Sequence, residues 1–467
     1  MFLSADAQAL LAAEAFVEDA AVRATGCRHL RVDTAPFILV PLGLAGEDGA
    51  PLAFGWGRGE EMGLCVVPEP RDRDEVWAGL TEMARVLCRW IDPIGEARIA
   101  VGEKRKRWVT RESAQLVVPT GAGADLLRKL AARMVWAPEE VDPVVRRAGG
   151  WLLFFLDRHE LALWDSALLI VTEALAMHWT LPLSGAEGSH LLASLAALER
   201  PGRAREAAQE VEHEPGGALT MPDFDAKKLE PAIAAYGGAA SSEGRAARRR
   251  DVEDLLRPIV RRLYEACVSG LERLRAIPPI PAVLEERHED EREALARHAS
   301  YLREEGRFSK ADSLRRSVFL LDGVEGEMKR VRSSARRQDP VLRAVAMCEG
   351  AALEGEVLRS DWVRQRPRIF RAELVVRVSG AWRASVERFQ VVWEREKPAH
   401  VAVIGVEADG EHTLVHLRSA DQHKQLREEL DGLLAPGRPI ALVQEERSFQ
   451  TFGFPPEVPW MLRGSDA

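Results

Sequence analysis

The chain has 467 residues, with 64 lysines and arginines against 73 aspartates and glutamates, a formal charge of -9, and 46% apolar residues. That length exceeds one ordinary hydrophobic core and predicts about two to four domains. The acidic balance excludes a protein that coats DNA by bulk attraction, so nucleic acid would have to be met by local patches.

Ala5, Leu10, Leu11, Ala13, Phe16, Val17 and Ala20 recur at three and four residues and predict an amphipathic helix over 5–25. Strands follow from Leu30 to Trp56: Phe37-Ile38-Leu39-Val40 is β-rich, and Gly46-Glu47-Asp48-Gly49 supplies the positive-φ residues of a hairpin turn. Another strand is expected near Leu64–Val67. After Pro68 and Pro70 a helix places Val76, Leu80, Met83, Val86 and Leu87 on one face, up to about Ile91. Short strands at 97–102 and 115–118 flank Lys104-Arg105-Lys106-Arg107-Trp108, and a helix from Asp125 to Val135 closes an α+β domain over 1–148.

Residues 149–200 read as a buried helical segment packing on that domain. Its stretch from Trp151 to Leu183 is interrupted by Asp157, Arg158, Glu160, Asp165 and Glu173, whereas a membrane span needs roughly 20 nearly uncharged residues. No membrane is expected. Pro201, Gly202, Pro215, Gly216, Gly217, Pro222, Gly237 and Gly238 mark 201–244 as a linker.

Between Arg245 and Arg343 stand twenty-three basic and eighteen acidic residues at helical spacing, read as a charged helical stalk over 245–350. Leu255, Ile259, Leu263, Cys267, Leu271 and Leu274 form its first seam, Pro278-Pro279-Ile280-Pro281 a corner, and further helices begin at Val283 and Ser309. From 353 to 447 the texture alternates: 356–358, 373–378, 389–393, 401–406 and 413–417 read as strands, and Ala408-Asp409-Gly410 as a hairpin turn. So many short strands predict a small β-barrel, closed to remove its edges, with a helix at 421–434 and a tail at 448–467. The fold class is therefore α+β multi-domain: an N-terminal α+β domain, a helical middle with a charged stalk, and a C-terminal small barrel.

Leu353-Glu354-Gly355-Glu356-Val357-Leu358 opens this barrel, Pro436-Gly437-Arg438-Pro439-Ile440-Ala441-Leu442-Val443 closes it, and charged helices precede it. That order over about 283–445 resembles the stalk and accessory barrel that precede the ATP-binding loop in superfamily-one helicases of the nonsense-decay and immunoglobulin-switch-binding type. The resemblance implies that stalk and barrel grip a single strand of nucleic acid. The sequence departs from the family in having no G-x-x-x-x-G-K-[ST], so ATP hydrolysis by that route is not expected, and a separate ATPase or helicase chain is an expected partner.

The expected nucleic-acid contacts are Lys104, Arg105, Lys106, Arg107 and Trp108, where cations flank an aromatic ring; Lys329, Arg330, Arg332, Arg336 and Arg337, where stalk meets barrel; and Arg364, Arg366 and Arg368. Other clusters carry less. His400, His412, His416 and His423 form the densest histidine group, but residues four apart on a strand stand roughly 13 Å apart, too far for one ion. Asp223, Asp225 and Lys227 crowd into too short a run for a nuclease metal site, and Cys27-Arg28-His29 does not place a thiolate in reach of its base. G-x-S-x-G, H-E-x-x-H and G-x-G-x-x-G are absent. No cofactor and no metal are expected.

Five separated cysteines without a C-x-x-C pair exclude a disulfide framework or zinc knuckle, and Met1–Asp6 lacks a basic n-region, so a reducing cytoplasm is expected. The function these features point to is a non-catalytic accessory protein, or motor-less helicase-like part, that grips single-stranded DNA or RNA. Two alternatives remain from the sequence: a protein-protein scaffold with the helical stalk as docking surface, and an enzyme of unknown type in the N-terminal domain.

Overall fold

Five strands form the central sheet, in spatial order Met62–Val66, Pro51–Gly57, Phe37–Gly43, Leu116–Val118, Leu168–Ile170. The first three make an antiparallel meander, and the last two join Phe37–Gly43 in parallel. The protein is seen in a computed structural model that describes residues 2–47, 49–102, 106–161, 166–304, 306, 308, 314–379, 388–392, 399–420 and 422–444.

Alternation along the strands sorts the side chains between two cores. Phe37, Leu39, Phe54, Leu116, Val118, Leu168 and Ile170 meet the helices Arg73–Glu96, Gly121–Met134 and Val144–Leu161, with Ala294, Leu295 and Ala299 of Pro281–Arg303. Ile38, Val40, Leu42, Ala53, Val117 and Leu169 meet Val171–His178, Leu191–Glu199 and Ser242–Arg275 on the opposite face. A sheet covered on both faces has no polar side, which is why Phe37–Leu42 is an unbroken apolar run.

Glycine sets the spacing of one of these contacts. A Cβ on Gly55 would lie 2.3 Å from Val260 Cγ1, so the Ser242–Arg275 helix can approach the Pro51–Gly57 strand only because that side chain is missing. Gly55→Ala is therefore expected to cost about 1–3 kcal/mol by overpacking, read as a lowered urea midpoint. An unchanged midpoint would show that the helix can give way freely.

Three sequence expectations change here. The 245–350 stretch does not stand apart as a stalk at its start: Val252, Leu256, Val260, Leu263, Cys267, Leu271 and Leu274 are buried on the sheet. Leu255 and Ile259, expected on that seam, lie one step round the helix and are only partly buried. The 201–244 stretch is folded: Ala204–Val211 and Glu230–Gly237 are helical, Leu229 and Ile233 enter the sheet's core, and Gly43 bridges to Leu219. Its glycines and prolines punctuate short elements. Finally, the boundary at 148 falls inside the Val144–Leu161 helix, and the segment read as wholly helical supplies the fifth strand, Leu168–Ile170. An apolar run of that length is equally a buried strand, and periodicity alone does not separate the two.

The C-terminal region closes as a six-stranded antiparallel barrel, as the alternating strands predict. Ala352–Arg366, Pro439–Gln444, Arg388–Val391, Ala399–Asp409, His412–Ser419 and Ile369–Ser379 follow one another round it, and the last pairs back with the first. Val357, Leu374, Val376, Phe389, Val391, Val415, Leu417 and Leu442 fill its interior, with Leu430 and Leu434 packed against them. Gly410 turns the Asp409–His412 hairpin at φ 61°. Among the described residues no helix is long and apolar enough to cross a membrane. The expected tail at 448–467 lies outside the described residues.

Candidate nucleic-acid interface

The longest pair of strands in the barrel, Ala352–Arg366 and Ile369–Ser379, forms a hairpin whose tip carries Arg364 and Arg366 at the end of the first strand and Arg368 in the turn. All three are exposed, and among the described residues none has a carboxylate partner; Arg364 donates only to the Pro367 carbonyl, at 3.3 Å. Nearer the barrel the charges are matched, with Arg359 on Asp361, Arg377 on Glu356 and Arg418 on Glu373. Positive charge is thus left unneutralised at the tip, among the described residues of this hairpin. Behind it, the Arg427 guanidinium lies 4.5 Å from the Phe370 ring centre and 5.8 Å from that of Trp362, a cation–aromatic stack that holds the base of the hairpin.

The other predicted contacts divide. Lys104 and Arg105 lie outside the described residues. Lys106 is exposed and Trp108 is 60% exposed, toward the Val101–Arg107 end of the Arg98–Val101 and Arg107–Thr110 strand pair. Arg107 instead holds that hairpin to the Pro281–Arg303 helix, reaching Glu289 at 2.7 Å and Glu293 at 3.0 Å. Such a pair of surface bridges is worth little stability, but it leaves Arg107 without free charge to offer.

On the Leu314–Gln338 helix, Arg330 is forked onto Glu327, and Lys329 and Arg332 are partly buried. Arg336 and Arg337 are only 8% and 6% exposed, and Arg336 pairs with Glu349 at 3.0 Å. Unlike the expected solvent-facing contacts, these two are enclosed, because the last turn of their helix docks on the Pro340–Cys348 helix and the Pro439–Gln444 strand. Ser333 completes the contact, its hydroxyl donating to Gln390 Oε1 of the barrel at 2.9 Å.

What seats this helix end is a carboxylate for which the sequence carries no signal. Asp339 is fully buried and caps the Pro340–Cys348 helix, accepting from Val341 and Leu342 amides, while the same carboxylate accepts from the Gly26 and Cys27 amides and from His29 Nε2 at 2.9 Å. Burial alone would raise its pKa, but His29 and the two amides outweigh that and hold it below the usual carboxylate range. His29 is turned the other way, lowered by burial against the pull of Asp339, so the pair is a neutral imidazole donating to a carboxylate.

That geometry disposes of a thiol site at Cys27-Arg28-His29. The imidazole is committed to Asp339, and burial, with Asp339 adding to it, pushes the Cys27 thiol up, away from the thiolate. Asp223 pairs with Lys227 at 2.6 Å, whereas Asp225 accepts from the Thr220 hydroxyl and the Ala45 amide, so the two acids serve different local contacts. Among the described residues no group of three or more His, Cys, Asp or Glu is placed to hold a metal ion.

No family model, curated protein or solved structure matches the chain.

Proposed function

We propose that the protein binds single-stranded nucleic acid through its barrel hairpin, as a non-catalytic accessory protein. The observation that supports this most is the hairpin tip with Arg364, Arg366 and Arg368, exposed and without carboxylate partners among the described residues, on a chain whose overall charge is negative. Lys106 and Trp108 add a second, smaller contact. The binding measurement is fluorescence anisotropy of a labelled single strand across a salt series. Each phosphate contact contributes a slope of about -0.7 in log K against log salt for a single strand, so replacing all three arginines by alanine is expected to flatten the slope by about two units. Equal slopes for wild type and triple variant would remove the hairpin from the interface. A separate ATPase or helicase chain as partner, and the helicase resemblance itself, are proposals that this binding would make worth pursuing.

A protein-protein scaffold is the second reading, and a different surface favours it: Leu10, Phe16 and Val17 on the Ala5–Glu18 helix are 74%, 58% and 79% exposed, on a helix that buries only Ala15. Failure of salt-sensitive binding, together with loss of self-association or partner capture in Leu10→Glu/Val17→Glu, would put that reading first.

A further inference from the structure

At the amino ends of the Phe37–Gly43 and Leu116–Val118 strands the surface opens into a cleft of about 740 Å³. Three arginines from three separate elements line it: Arg58 beyond the Pro51–Gly57 strand, Arg89 on the Arg73–Glu96 helix, and Arg111 just after the Arg107–Thr110 strand. Among the described residues Arg89 and Arg111 have no carboxylate partner, and Arg58 spends only its Nε–H, donated to the Ala35 carbonyl at 3.1 Å. Three guanidiniums lining one cleft and left largely unspent are the donors that an anion takes up in charge-assisted, forked hydrogen bonds.

The apolar part of the lining comes from the same helix as Arg89. Val86, Trp90, Pro93 and Ile94 recur at the three- and four-residue spacing that stacks side chains on one side. The Trp90 ring is held parallel to Phe37 at 4.6 Å and to Phe155 at 5.9 Å, which makes it a rigid wall. The floor is also fixed. The carbonyls of Asp33 and Thr34 accept from Arg275, and the Gln115 amide, fully buried, donates to the Arg31 and Ser166 carbonyls while its oxygen accepts from the Asp33 amide.

Two further groups narrow the ligand. Glu112 stands at the rim and is an acceptor for a ligand's hydroxyl or amine. His288 lines the same cleft with its Nε2 buried and without a hydrogen-bond partner. Burial, aided by Arg31 and Arg292, pushes its pKa down to about 4, so near neutral pH it is an uncharged imidazole able to take one more hydrogen bond. Asp33, the remaining acid, is already paired with Arg31 and subtracts little from the positive charge. A ligand that satisfies all of this has an anionic group, a flat apolar body and donor groups beside it.

We propose that this cleft binds a nucleoside phosphate, with the phosphate among Arg58, Arg89 and Arg111, the ring along Trp90, Val86 and Ile94, and hydroxyl or amino groups toward Glu112 and His288. The ligand is either a free mononucleotide or the phosphorylated end of a strand, and the site is independent of the hairpin.

Isothermal titration of the full chain with adenosine 5′-monophosphate, adenosine, inorganic phosphate, and a short single strand with and without a 5′-phosphate tests it. The expected result is binding of a phosphorylated nucleoside and not of adenosine, weakened about tenfold or more by Arg89→Ala and by Arg111→Ala, since a charge-assisted bond is worth that ratio. Both side chains are exposed, so the unfolding midpoints of these variants should stay at the wild-type value. Binding of the mononucleotide assigns the free ligand. Binding of the 5′-phosphorylated strand alone assigns a strand end, and this must persist when Arg364, Arg366 and Arg368 are replaced. Inorganic phosphate binding as tightly as the mononucleotide, no binding at millimolar concentration, or binding indifferent to Arg89→Ala and Arg111→Ala would each overturn the proposal.

Discussion

Asp339→Ala is expected to lower stability by about 3–5 kcal/mol, because it would remove one buried carboxylate on which two distant parts of the chain both depend. The carboxylate accepts from the Gly26 amide at 2.8 Å, the Cys27 amide at 3.0 Å and His29 at 2.9 Å, and from the Val341 amide at 2.9 Å. Alanine would strand those donors in a site closed to water, where each unmade bond costs about 1–3 kcal/mol and partial collapse recovers only some of the sum. The contact also closes an apolar seam in which Phe2, Val331, Ala335 and Leu342 are buried together. Urea denaturation near neutral pH is the measurement, and a loss below about 1 kcal/mol would mean that the donors find other partners. His29→Ala and the double variant complete a cycle: the two losses should fall well short of adding, since both break the same contact. As the folded pKa of Asp339 lies below the ordinary carboxylate value, its contribution is complete above about pH 4 and fades as pH falls through the folded pKa.

How far the sequence speaks differs from element to element, for physical reasons. The barrel was legible because each strand alternates inward and outward residues and a hairpin such as Asp409-Gly410 needs a positive φ, both of which leave a local pattern. The five-stranded sheet was half legible. Phe37–Gly43 and Leu116–Val118 read as strands, but Leu168–Ile170, buried on both sides within a longer apolar run, has no polar face to mark its period. The Ser242–Arg275 helix misled because its many arginines describe only its solvent side, while its stripe from Val252 to Leu274 lies against Gly55 and its neighbours, far away in the chain.

The candidate sites follow the same rule. Arg364, Arg366 and Arg368 entered with the predicted barrel, and at the end of a strand pair their charges stay outside. Arg336 and Arg337 looked identical in type and density, and only tertiary packing tells that they are enclosed. Asp339 and the cleft of Arg58, Arg89 and Arg111 had no signature at all, since their members come together only when segments far apart in the chain are assembled.

Mild acid is expected to destabilise the protein well before its carboxylates titrate, through histidines that are folded in the neutral form. Burial pushes His178 down to about 4, and His298 likewise to about 4, from an ordinary value near 6.5. A folded pKa below the unfolded one means that the unfolded chain binds the proton first. The contribution of each is therefore intact above about pH 6.5 and is lost progressively toward pH 4, on the order of 3 kcal/mol apiece at full loss. The structure supplies the reason for His178: its Nδ1–H donates to the Ala174 carbonyl at 2.7 Å, and its Nε2 accepts from the His29 amide at 3.3 Å, so a second proton would meet a donor head-on. The same protonation would push on the 26–29 segment that Asp339 grips, so acid acts on both sides of one contact. His298, stacked on Phe154 at 4.7 Å and donating to the Gly150 carbonyl, allows a clean control. His298→Phe keeps the ring stack, gives up one hydrogen bond worth about 1 kcal/mol near neutral pH, and should flatten the fall in urea midpoint between pH 6.5 and 4.5. If wild type and variant lose stability in parallel over that range, protonation of His298 is not part of the acid response.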